Sequence, residues 1–111
     1  MDEEYKIVWT RSAVCDLESI IEYIAENSPL TAKTLFRKLK KQIETLSYSP
    51  QRARYLPELQ EQGIFIYREL IIPPWRVMYR VYERNVYVMA IIDSRRNVED
   101  ILLEKLIKIQ E

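Results

Sequence analysis

No histidine occurs anywhere in this chain of 111 residues, and there is one cysteine, Cys15, and one glycine, Gly63. Without an imidazole, Ser-His-Asp and Cys-His catalytic arrangements are excluded, so any catalysis must use Arg, Lys, Tyr, Asp or Glu. A lone thiol cannot close an internal disulfide and fits a reducing compartment. The Cys and His clusters that hold structural zinc are missing as well, and no metal or cofactor is expected. Scarcity of glycine leaves few places for positive-φ turns, which predicts a chain made mostly of helix and strand. The opening segment, MDEEYKIVWT, is acidic and lacks the basic-then-apolar pattern of a secretory leader. No apolar run approaches the length that spans a bilayer, so the expected location is cytoplasmic, with no membrane partner.

What is present is a balanced globular composition: 48% hydrophobic and 31% charged residues, enough apolar surface for one core and one domain over residues 1–111. Formal net charge is zero, yet the charges are segregated. Asp2, Glu3, Glu4, Asp16, Glu18, Glu22 and Glu26 dominate the first quarter, against Lys6 and Arg11. Lys33, Arg37, Lys38, Lys40, Lys41, Arg52 and Arg54 dominate the next stretch, against Glu44. Such segregation produces a basic face suited to an acidic partner or a phosphate backbone, and equally describes a solvated helix surface.

Alternation and β-forming residues predict a strand over Tyr5-Lys6-Ile7-Val8-Trp9. Thr10 or Ser12 can cap the helix after it, with Asp16 in or near the first turn. Leu17, Ile20, Ile21 and Ile24 then recur at helical spacing to about Ala25. Ser28-Pro29 restarts the chain as N-cap and first helical residue. Ala32, Leu35, Phe36, Leu39, Ile43 and Leu46 carry a second apolar stripe to about Ser47, so the two helices form a hairpin. Residues 48–62 lack periodicity and read as a loop. Strands are predicted over Ile64 to Ile71, Trp75 to Tyr82 and Val86 to Asp93, turning at Pro73-Pro74 and at Glu83-Arg84-Asn85 as an antiparallel meander. Asn97 with Asp100 forms a capping pair before a last helix marked by Val98, Ile101, Leu102, Leu106 and Ile109. The fold class is α+β, in the order β-α-α-β-β-β-α. The helical hairpin should cover one face of the sheet and leave the other partly open.

Alternation places Trp75, Val77, Tyr79 and Val81 toward the hairpin, and Arg76, Met78, Arg80 and Tyr82 on the open face. Arg68 from the neighbouring strand is expected beside them, and Arg95 and Arg96 follow the last strand directly. Arginines and tyrosines so grouped suit forked recognition of phosphate or carboxylate and stacking on bases. The alternative is internal pairing with Glu69, Glu83 and Asp93. Tyr5, Tyr23 and Tyr79 read as core or core-edge packing, and Cys15 as a small buried or half-buried side chain.

Over almost its full length the chain resembles the RelE/ParE superfamily of toxins from type II toxin–antitoxin systems. The resemblance rests on Asp16-Leu17 through Tyr23-Ile24-Ala25-Glu26, Ser28-Pro29 with Ala32, and Pro50, Arg54 and Pro57-Glu58-Leu59. It continues in Tyr67-Arg68-Glu69-Leu70, Trp75-Arg76-Val77-Met78-Tyr79-Arg80 and Arg95-Arg96. It implies a toxin neutralised by a cognate antitoxin that blocks its working surface, with one of two targets. RelE-like members cut messenger RNA in the ribosomal A site; ParE-like members poison DNA gyrase. The RNA-cutting members carry an arginine where Arg76 stands and a basic residue where Arg96, or Arg95, stands. Their lysines near the second strand correspond here to Tyr67 and Glu69. Their C-terminal Tyr or His falls among Ile101, Leu102 and Leu103, and a frequent His corresponds to Asp93. A ribonuclease built on this chain would use Arg76 and Arg96 as cations, with Glu69 or Tyr79 recruited for proton transfer. The departures favour a ParE-like, non-nucleolytic inhibitor whose target contacts come from Arg68, Arg76, Arg80, Tyr82, Arg95 and Arg96. A ribosome-dependent endonuclease and a non-toxic antitoxin-binding relative are the alternatives. An apolar antitoxin groove is expected beside the helical hairpin. Homodimerisation through the sheet or the last helix is left open.

Overall fold

The structure, a computed structural model, describes residues 4–110, with side chains over residues 4–107. The acids Asp2 and Glu3 and the side chain of Ile109 lie outside the described residues. Strand β1 (Lys6–Trp9) leads into α1 (Arg11–Ala25) and α2 (Pro29–Glu44), which ends in a 3-10 turn over Thr45–Ser47. A second 3-10 turn (Pro50–Arg52) and a one-turn helix α3 (Pro57–Gln60) precede β2 (Tyr67–Ile72), β3 (Trp75–Tyr82), β4 (Asn85–Asp93) and α4 (Val98–Gln110). The architecture is the α+β arrangement expected, with α3 added inside the stretch read as a loop.

Local chemistry explains the element ends. Thr10 Oγ1 accepts the Ala13 N–H at 3.3 Å and donates to the Val88 carbonyl at 2.7 Å, so one hydroxyl caps α1 and ties it to the sheet. Ser28 Oγ accepts the Thr31 N–H, with Pro29 pre-set at the first helical position. Asn97 Oδ1 accepts the Asp100 N–H, and its amide donates to the Asp100 carboxylate. Asp16 lies near the first turn of α1 and not in it. Its carboxylate instead accepts the Ile91 N–H at 3.0 Å and the Lys105 ammonium at 2.6 Å, joining α1, β4 and α4.

The sheet order is β1-β4-β3-β2, with β1 parallel to β4 and the other pairs antiparallel. The meander is as expected; the return of β1 to the far side of β4 is a long-range pairing that strand patterns do not encode. Between Met78↔Ala90 and Tyr79↔Val88 the β3–β4 register slips, leaving Met89 as the extra residue. This bulge inverts the alternation of β4. Val86 and Val88 therefore face the helical hairpin, whereas Ala90 and Ile92 face α4.

Ala13, Leu17, Leu39, Ile43, Leu46, Trp75, Val77 and Tyr79 build the core between sheet and hairpin. The opposite face is partly open, as expected: Arg80, Tyr82, Tyr87 and Met89 line a shallow depression at one end, and the rest is covered. Leu56, Leu59, Tyr67, Met78, Ala90, Ile92, Val98 and Leu102 form a second buried cluster under α3 and α4. Met78, placed on the open face by alternation, is buried there because α4 covers it. Three other expectations fail on exposure: Phe36 is 41% exposed, Tyr23 is 71% exposed, and Cys15 faces solvent. Among the described residues no helix is long and apolar enough to cross a membrane.

Candidate functional site

Arg76 leaves β3 on the α4 side of the sheet and meets two carboxylates. Its Nε donates to Glu69 Oε1 at 2.5 Å, and its two terminal nitrogens donate to Glu58 at 2.7 Å each, a fork matched to a fork. The other oxygen of Glu69 accepts from Arg54 Nε at 2.6 Å. The Glu69 side chain has no exposure, that of Arg76 11% and that of Glu58 24%, whereas Arg54 is largely in solvent. Glu58 reaches this position because α3 is anchored by Leu56 and Leu59, both buried in the second core. The Arg76 guanidinium holds the Glu58 carboxyl below its ordinary range, and Glu58 followed by Glu69 holds Arg76 above its own.

That arrangement fixes a pH dependence. Because the folded-state pKa of Glu58 is depressed, its stabilising contribution is present above the unfolded value and is lost as pH falls through the folded one. Acidification between about pH 5 and pH 3 should therefore destabilise the native chain more steeply than Glu58→Gln. Parallel midpoint-against-pH curves in a thermal melting series would rule out this role for Glu58.

The remaining candidates occupy three other places. Arg68 pairs in register with Tyr79, on the face opposite Arg76 and not beside it. Its Nη1 donates to the carbonyls of Ala53 (2.7 Å) and Gln51 (3.2 Å), and its guanidinium lies 4.1 Å from the centroid of Tyr55. Tyr79 is fully buried on that face, donates its hydroxyl to the Pro50 carbonyl at 2.5 Å, and is pushed up to about 12 by burial. Arg68 and Tyr79 thus hold the Pro50 segment against the sheet. Arg80 rests over the ring of Tyr82 at 5.4 Å, and the two line a shallow depression with Thr10, Tyr87 and Met89.

Arg95 and Arg96 stand on the rim of a cleft of about 500 Å³ between α1 and the end of β4, with Asp16, Tyr23, Trp75 and Asp93 in its walls. Asp93 accepts from the Arg95 N–H and Nε at 2.9 Å and from its Nη2 at 2.8 Å. Hydrogen bonding to Arg95 holds Asp93 below the usual carboxylate range and raises Arg95. Arg96 is exposed, and its guanidinium has no ion pair among the described residues. Trp75 and Arg76 point to opposite faces, so the cleft and the Arg76 network do not converge. On the hairpin itself, Trp9, Val14, Leu17, Ile21 and Phe36 floor an apolar groove rimmed by Glu18 and Glu22 on one side and Lys40 on the other.

The family model described as the ParE toxin of the type II toxin–antitoxin system parDE matches residues 7–98. The chain belongs to the ParE toxin family. Among curated proteins it is similar to Toxin RelE2 of Caulobacter vibrioides, 32% identical over 92 residues that cover 82% of this chain and 97% of the relative. It is also similar to Toxin ParE3 of the same organism, 26% identical over 94 residues, or 84% and 90% of the two chains. Two solved structures share the fold. One belongs to a chromosomal ParDE toxin–antitoxin system from P. aeruginosa, with a TM-score of 0.67 at 20% identity, covering 82% of this chain and 97% of that one. The other belongs to the RelBE2 toxin–antitoxin complex of Mycobacterium tuberculosis, with a TM-score of 0.56 at 16% identity, covering 84% and 97%. The chain is thus a type II toxin–antitoxin toxin of the ParE/RelE superfamily. The family match ends at Val98, where α4 begins. In this ParE-family toxin, then, the helix packed on the second face lies almost wholly beyond the matched residues. Sequence reasoning missed Glu58 as the partner of Arg76 because a one-turn helix has no period to detect. The available signal was Pro57 as a helix start between Leu56 and Leu59.

Proposed function

We propose that this ParE-family toxin stops growth by binding DNA gyrase without cutting nucleic acid, and that a cognate antitoxin neutralises it. The observation that carries the reading is the state of Arg76. The arginine that would steady a phosphorane is held by two carboxylates and nearly enclosed, so a phosphate would have to displace a bidentate ion pair to reach it. The two groups available for proton transfer support the same reading. Glu69 is buried between two arginines, and Tyr79 lies in the core on the other face with its hydroxyl donated to a carbonyl. Neither stands beside the exposed Arg96. In this reading the accessible members of the arginine–tyrosine set, the exposed Tyr82, Arg95 and Arg96 with the half-buried Arg80, carry the target contacts, and the apolar groove over Trp9 and Phe36 receives the antitoxin. The compartment is the cytoplasm, where gyrase and ribosomes work.

Controlled expression in a bacterial host tests it, with transcript integrity and the DNA damage response followed as growth stops. The expected result is growth arrest with intact transcripts, an induced damage response and relief by Arg96→Ala. Transcripts cut within codons, and only during translation, would overturn the gyrase reading in favour of a ribosome-dependent endonuclease. Unimpaired growth would leave a folded antitoxin-binding protein without toxicity.

A further inference from the structure

We infer that the outer face of α2 is a docking surface for the phosphate backbone of duplex nucleic acid. Lys33, Arg37 and Lys41 are exposed and follow one another at four-residue spacing. On a helix that spacing aligns them in one row, advancing about 6 Å per step. Lys38 flanks the row on one side, and Lys40 flanks it on the other while resting 5.2 Å from the ring of Trp9. Beyond the helix end Arg52 donates to the Thr45 carbonyl at 3.1 Å and to its hydroxyl, which places a sixth cation past Glu44, the acid that closes the row. Lys33, Arg37, Lys38 and Lys41 have no ion pair among the described residues.

Two features select the ligand. The chain has zero formal net charge, so a polyanion gains from this surface only if it meets α2 and avoids α1, whose Glu18, Glu22 and Glu26 are exposed on the same hairpin. That polarity orients the molecule on an extended backbone of closely spaced negative charge. The row also contains no aromatic side chain. Phe36, the aromatic residue of α2, turns into the apolar groove with Trp9. A single strand would need a stacking platform, whereas a duplex offers regularly spaced phosphates and asks only for cations. The surface therefore reads charge and spacing, not sequence. It is separate from the Arg95–Arg96 cleft and does not depend on which target the toxin attacks.

The test is fluorescence anisotropy with the purified full chain and a short labelled duplex DNA of arbitrary sequence, repeated across a salt series. Wild type should bind with a linear dependence of log affinity on log salt. Arg37→Glu/Lys41→Glu should weaken binding by at least about tenfold, and Arg37→Gln/Lys41→Gln should lower the salt slope by about 2, one unit for each phosphate no longer neutralised. A control with the same charge change elsewhere, Lys6→Glu/Arg11→Glu, should bind like wild type, and circular dichroism of each variant should match. Equal weakening in the control would overturn the proposal, since total charge alone would then explain binding. Absence of wild-type binding, an unchanged salt slope, or stronger competition by single-stranded RNA or DNA of the same length would overturn it too.

Discussion

Arg76→Ala should lower the thermal midpoint by roughly 10–20 °C, the equivalent of about 3–5 kcal/mol for a domain of this size. The reason is what the substitution leaves behind. Glu69 has no exposed side-chain surface and would keep only Arg54, whose own side chain is largely in water. Glu58 would lose both of its forked hydrogen bonds. Removing one member of a buried ionic network strands charge in a medium that solvates it poorly, and that cost exceeds whatever the intact network contributes over an apolar packing. Glu69→Ala should be comparably destabilising for the same reason. The double variant should fall well short of the sum, because the two residues belong to one network. Arg76→Lys should be intermediate: it keeps the charge but cannot serve three carboxylate oxygens from a planar fork. Chemical and thermal unfolding followed by circular dichroism would measure all four. An Arg76→Ala protein with a wild-type midpoint and no toxicity would show the arginine to be a ligand for the target, and the clamp would be refuted.

Leu102→Ala should cost about 2–5 kcal/mol, the range for a large aliphatic side chain deleted from a packed core. Leu102 is 2% exposed and lies in the cluster with Met78, Ala90 and Ile92. Its neighbour Leu103 is 61% exposed, so Leu103→Ala should stay within about 0.5 kcal/mol of wild type. The contrast between adjacent leucines separates burial from helix propensity, which both substitutions change equally. Matching effects at the two positions would mean that α4 does not dock as described. The result bears on function, because α4 packs on the same sheet face that carries Arg76 and its carboxylate partners. Its docking also has a polar contribution: Lys105 Nζ donates to Asp16 and to Ser12 at the start of α1.

Much of the candidate site was legible as residue types and little of it as geometry. Arg95, Arg96 and Asp93 could be placed at the end of β4 because Asp93 closes the strand and the two arginines come just after it. The pairing alternative also named two of the right partners, since Glu69 holds Arg76 and Asp93 holds Arg95. Alternation failed for Arg68, which shares a face with Tyr79 and not with Arg76. Register between neighbouring strands decides which residues stand side by side, and the pattern within one strand does not contain it.

By itself the sequence determined the order of the strands and of the longer helices, the caps at Ser28-Pro29 and Asn97, and the set Trp75, Val77 and Tyr79 that faces the hairpin. These follow from spacing and backbone preference, which act over a few residues. It also carried the family resemblance, and it excluded imidazole chemistry and an internal disulfide outright. Only the tertiary structure decided that β1 returns beside β4, that a bulge at Met89 reverses the inward face of β4, and that α4 covers Met78, Ala90 and Ile92 on the far side of the sheet. It alone decided that Arg76 is clamped while Arg96 faces solvent. Those outcomes depend on segments far apart in the chain meeting in space. A guanidinium offers the same donors whatever its surroundings, and whether they face a carboxylate or solvent is set by packing.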